Sequence, residues 1–175
     1  QVDAIFSATR RCGGAADLGT WGRLGLTGEW TNRQISLYGR NSASGTYAYF
    51  KENALCGGDY KPTVKEQPGS AAVVQGVSVD RYGIGYSGIG YITSGVRAVP
   101  LAREAGEPYV DPTVAANVLS GEYPIARFLQ VYINKAPGQP VTPLVREFVR
   151  FIFSRQGQEA VEKDGYLSLP AEYAA

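Results

Sequence analysis

The rhythm of apolar and polar residues changes several times along the chain, and each change marks an element. Residues 35–38, Ile-Ser-Leu-Tyr, are a short β-branched and aromatic run that predicts a strand. Residues 47–55 follow with helix-forming composition and stop at Cys56-Gly57-Gly58. Pro68-Gly69 announces a second helix over residues 71–78, with Ser70 as its cap. Residues 84–86 and 96–101 have strand composition, and residues 127–134 alternate well enough to predict a further strand. Asp111-Pro112 has the form of an N-cap followed by proline at the first helical position, opening a helix to Leu119. A last long helix is expected over residues 143–163, with Leu144, Phe148, Val149 and Ile152 as its apolar stripe and Gly165 just past its end. Residues 2–6 suit a helix or a strand equally. Trp21 sits in a glycine-rich loop and Trp30 in a turn-rich stretch, and both read as packing anchors. Strands alternate with helices, so the class is α/β.

Composition narrows the chemistry. The 175 residues suit one ordinary domain or two small lobes, and 44% apolar content is enough for a core. A net charge of +1 without blocks of like charge gives no nucleic-acid or membrane surface. With no histidine, Ser-His-Asp and Cys-His catalysis and imidazole metal sites are excluded within this chain. Cys12 and Cys56 each precede Gly-Gly in turn-like contexts, and a disulfide between them is expected, with buried unpaired thiols as the alternative. A disulfide would place the protein in an oxidising compartment. Residues 1–6 read like the inside of a domain, which points to a mature or truncated chain.

The stretch Gly39-Arg-Asn-Ser-Ala-Ser-Gly-Thr46 joins the first strand to the first helix without a gap. The first N–H groups of a helix lack internal partners, and the helix dipole makes that end positive. Ser42, Ser44 and Thr46 can add hydroxyl donors, Gly45 allows close backbone approach, and Arg40 can fork onto two oxygens. Two readings stand side by side: a loop that holds a small oxyanion, or a serine N-cap with Arg40 as a surface charge.

Gly83-Ile-Gly-Tyr-Ser-Gly88 matches the dinucleotide pattern, but a helix precedes it and β-forming residues follow. A glycine-rich strand where two backbones approach is the better expectation. Ser87 nearly completes a nucleophile elbow, yet Ile89 stands where the last glycine belongs and no histidine base exists.

Tyr38-Gly-Arg-Asn-Ser-Ala-Ser-Gly-Thr46, Pro68-Gly-Ser-Ala-Ala-Val-Val74 and Ile84-Gly-Tyr-Ser-Gly-Ile-Gly-Tyr91 occur in that order. Tyr123-Pro-Ile125, Val131-Tyr-Ile-Asn-Lys135, Phe151-Ile-Phe-Ser-Arg-Gln-Gly-Gln158 and Asp164-Gly-Tyr166 complete the series. Together they resemble the phosphate-binding component of bacterial phosphate ABC transporters over nearly the whole chain. The resemblance implies a type II periplasmic-binding-protein fold, with one full lobe plus the C-terminal part of the other. It implies a second-lobe-like domain over residues 1–122, with Tyr123-Pro124 returning the chain to the first lobe over residues 123–175.

The implied function is binding of inorganic phosphate for uptake through a membrane permease, in a periplasmic or secreted protein that is not an enzyme and carries no cofactor. Phosphate ligands carry over to Arg40, Ser44, Gly45 and Thr46, while Ser42 stands where the family often has an aspartate. The family's N-terminal segment, with a carboxylate that accepts the ligand's proton, has no counterpart here. Asp17 and Asp59 are the nearest aspartates, and neither matches that position. The alternative is an incomplete clamp that associates with a second chain, through the stripe from Leu144 to Ile152, with vestigial anion binding.

Overall fold

A computed structural model describes residues 1–173. The chain divides into two compact units, Gln1–Val99 and the residues from Pro100 on. The first unit holds α1 (Val2–Phe6), β1 (Ser36–Arg40), α2 (Gly45–Ala54), β2 (Lys65–Gln67), α3 (Ser70–Ser78) and β3 (Gly83–Gly85). Its sheet runs β2-β1-β3 with all pairs parallel. Parallel neighbours need crossovers, which α2 and α3 supply. The central strand buries Leu37, Tyr38 and Gly39 in succession, as expected of a strand covered on both faces.

The unit's core is aromatic. Phe50 stacks on Tyr86 with ring centroids 4.0 Å apart, and Phe6 meets both rings edge-on at 5.2 and 5.8 Å. Leu55 and Val73 close the core from α2 and α3. The ambiguous residues at the start fold as a helix, with the Ile5 N–H bonded to the Gln1 carbonyl at 3.0 Å and the Ser7 N–H to the Asp3 carbonyl at 2.7 Å. Trp21 and Trp30 pack edge-to-face at 5.6 Å, and Trp30 meets Tyr82 at 5.0 Å. Just past the end of α2, Cys56 and Gly57 have φ values of +51° and +69° and cannot continue a right-handed helix. Cys12 and Cys56 are disulfide-bonded, as the sequence leads one to expect. The glycine-rich segment is a strand in close contact: a Cβ on Gly85 would lie 2.9 Å from Val73 and 3.1 Å from the Tyr38 carbonyl.

Several sequence expectations are corrected. Ser70 is the first residue of α3 rather than its cap, a place taken by Gly69. Residues 96–101 form no strand; Leu101 makes an isolated bridge to Val110. In the second unit α4 is confined to Ala115–Leu119. Asp111 closes a local turn instead, accepting from the Thr113 N–H at 2.8 Å and hydroxyl at 2.7 Å. Residues 127–134 lie outside the sheet, and Val131, Tyr132 and Ile133 are exposed. Alternation fits a chain to a pleat, but only a neighbouring strand makes it a strand. The long C-terminal helix is two: α5 (Pro143–Phe153) and α6 (Arg155–Lys163). Ser154 breaks it by taking an extended conformation and accepting the Gly157 N–H, so it caps α6. Gly165 lies just beyond α6 with φ +84°, where a left-handed residue was anticipated.

Candidate anion site

Because the sheet is parallel, the carboxyl ends of its strands share one edge, and α2 and α3 both begin there. Open α/β sheets place their ligands at this edge. Arg40 is the last residue of β1, in register with Gln67, the last residue of β2. Its guanidinium donates from Nη1 to Ser70 Oγ at 2.9 Å and from Nη2 to the Pro68 carbonyl at 3.4 Å. Its Nε is buried and has no hydrogen-bond partner. Leaving a buried donor unmade costs roughly 1–3 kcal/mol, more for a charged group. An oxyanion would supply the acceptor that this atom lacks.

The loop after Arg40 is held at both ends. Asn41 N–H donates to the Gln67 carbonyl at 3.0 Å, and Ser44 N–H to the Asn41 carbonyl at 3.0 Å. Ser42 is exposed in the turn between them. Ser44 is buried and caps α2, its Oγ accepting from the Thr46 N–H at 3.1 Å. A hydroxyl that accepts in this way keeps its proton for donation. The cap and the anion ligand are therefore compatible roles for one serine. Gly45 and Thr46 form the first helical turn, where backbone N–H groups point outward.

Beneath the loop, Tyr86 donates its hydroxyl to the Arg40 carbonyl at 3.3 Å. Burial pushes the Tyr86 phenol above its ordinary range. Burial does the same to Tyr60. Both rings stay neutral at physiological pH, so they bring no negative charge against an anion. Asp17 pairs with Lys61, and Asp59 with Lys51 at 3.2 Å. Among the described residues no group of three metal-ligating side chains is present.

Sequence reasoning singled out Arg40 and the loop as candidates and did not anticipate their contacts with Ser70, Pro68 and Tyr86. The signal was available for Ser70, since Pro68-Gly69-Ser70 opens a helix and parallel crossovers start their helices at one edge. A buried carboxylate, Asp3, was also missed; its Oδ2 accepts from the Cys12 N–H at 3.0 Å, while Oδ1 has no partner. That bond ties it to the disulfide segment rather than to the loop.

Residues 1–156 match the PBP superfamily domain, and the chain belongs to that superfamily. It is 57% identical over 174 residues to the phosphate-binding protein PstS of Pseudomonas aeruginosa, covering 99% of this chain and 54% of that protein. Protein SphX of Synechococcus elongatus is 32% identical over 145 residues, covering 81% of this chain and 42% of its own length. The chain thus spans about half the length of the curated relatives it matches. Its fold is that of a possible phosphate-binding protein from Planctomyces limnophilus, with a TM-score of 0.67 at 23% identity over 99% of this chain and 59% of that one. A putative phosphate ABC transporter substrate-binding protein from Clostridium perfringens, solved with bound phosphate, gives a TM-score of 0.63 at 25% identity over 87% and 58%. The fold is therefore the α/β type II periplasmic-binding-protein fold, of which this chain represents about half.

Proposed function

We propose that this chain binds inorganic phosphate as part of a solute receptor that feeds a membrane permease of an ABC transporter. The observation that carries the proposal is the buried, unpartnered Nε of Arg40, four residues before the Ser44-capped start of α2. The likeness to proteins named as phosphate-binding supports the choice of anion. Arg40 pairs with phosphate oxygens, while Ser44, Thr46 and the N–H groups around Gly45 surround the remaining ones, with Ser42 at the rim. The role is capture and release, without catalysis, in a periplasmic or secreted protein. The Cys12–Cys56 bond supports an oxidising compartment. In this assignment residues 1–122 form the second lobe and the chain returns to the first at Tyr123-Pro124.

Calorimetric titration with inorganic phosphate tests the proposal. Arg40→Ala is expected to weaken binding by about 2–5 kcal/mol, the cost of removing one partner of a desolvated charge pair. Equal affinity in the two proteins would remove Arg40 from the site.

A further inference from the structure

We propose that Ser70 is a positioning residue for Arg40, fixing which edge of the guanidinium meets the anion. This rests on the phosphate site described above. A guanidinium is planar and rigid, with its five donors on a fixed fork. Nη1 and Nη2 both turn toward the start of α3, to Ser70 Oγ and the Pro68 carbonyl. The edge left with two donors is the one that carries Nε and the second proton of Nη2. Nε is the buried atom without an acceptor. Ser70 thus selects side-on presentation of Arg40 to a ligand.

The support is itself supported. Ser70 is buried, and its carbonyl accepts the hydroxyl of Ser87 at 3.1 Å. Ser87 belongs to the glycine-rich stretch after β3, whose resemblance to nucleotide and esterase motifs has no other use here. The segment after β3 thus holds the backbone of the residue whose hydroxyl accepts from Arg40. The Ser70 hydroxyl does not cap its own helix, so its geometry is free to serve Arg40. Removing it leaves helix propensity intact, since alanine is the better helix former.

The test compares wild type, Ser70→Ala, Ser70→Thr, Arg40→Ala and the double variant Arg40→Ala/Ser70→Ala in this chain. Inorganic phosphate is titrated, and the Arg40 Nε–H resonance, assigned by its loss in Arg40→Ala, is followed without phosphate. Ser70→Ala is expected to weaken phosphate binding roughly tenfold, the lower end of a hydrogen bond to a charged group. The same variant should shift or broaden the Nε–H resonance. Ser70→Thr, which keeps the hydroxyl, restores both. The double variant binds no more weakly than Arg40→Ala, because Ser70 acts through that side chain. Should Ser70→Ala fail to fold, Ser70→Gly is held to the same two readouts. Either readout unchanged by loss of the hydroxyl, while Arg40→Ala loses affinity, overturns the role of Ser70 and leaves the phosphate site standing. Absence of phosphate binding in wild type, or undiminished binding in Arg40→Ala, overturns the site and the positioning role together.

Discussion

The ring of Tyr86 packs against the backbone of Gly39: a Cβ at Gly39 would sit 2.6 Å from Tyr86 Cε1. No larger residue fits there, and the contact lies one residue before Arg40, whose carbonyl Tyr86 holds. Gly39→Ala must therefore displace the ring or the strand. Overpacking of this kind typically costs about 1–3 kcal/mol. Urea unfolding should show the midpoint falling with the slope unchanged; an unaltered midpoint would mean that Tyr86 yields freely.

The disulfide ties α1's following segment to the end of α2 across a sequence separation of 44. Closing a loop of that length stabilises by about 4 kcal/mol in the chain-entropy model, less any strain. Replacing both cysteines by serine, or reducing the bond, is expected to lower the thermal midpoint clearly. Thiol counting in denatured, unreduced protein should find none. Two reactive thiols would refute the bond.

Acid should weaken the first unit through Asp80. Burial pulls its carboxyl upward, but hydrogen bonds from Ser36, Tyr38 and the Tyr82 N–H, with the charge of Lys65, hold it below the ordinary value of 3.8. Tyr38 donates to it at 2.9 Å. A carboxyl depressed in the folded state contributes stability that is present above its unfolded pKa. That stability is lost as pH falls below about 4 and through the folded value. Asp80→Asn should flatten the acid limb of a stability–pH curve while leaving its neutral portion lower. An acid limb identical in both proteins would show that Asp80 titrates normally.

Selectivity between phosphate and sulfate should be poor in this chain alone. In the proposed site Arg40, the hydroxyls of Ser44 and Thr46, and the backbone N–H groups would be donors to either tetrahedral anion. Telling the anions apart needs an acceptor for the proton that phosphate keeps. Asp17 and Asp59 are each committed to a lysine. The expected discrimination is less than about tenfold, or ~1.4 kcal/mol. Sulfate at a hundredfold excess over phosphate should displace it at pH 7. Failure to compete would reveal an acceptor among residues not assigned to the site.

What was legible in the sequence was local. The strand expected over residues 35–38, which runs on to Arg40 in the structure, the serine cap of α2 and the stop at Cys56-Gly57 are written within a few residues of where they act. The misplaced elements share a different origin. Residues 127–134 carry the alternation of a strand, but alternation does not encode the neighbour that completes its hydrogen bonds. Ser154 looks like any polar residue in a helical stripe, and only its side-chain bond to the Gly157 N–H reveals the break. The site divides along the same line. Arg40 and Ser44 were visible as a motif, whereas Ser70 serves Arg40 from 30 residues away, through strand pairing that no short pattern records.

The ladder between β1 and β2 ends with Arg40 opposite Gln67, and the Asn41 N–H bond to Gln67 is its last rung. Side chains on a strand alternate between faces, so moving β1 by one residue would carry Arg40 to the wrong side of the sheet. In the proposed site, ligand geometry would be inherited from strand alignment. A substitution buried near Leu37 or Ile84 that lets the strands creep would thus blunt anion binding with every ligand residue still in place, and a search confined to the loop would never find the cause.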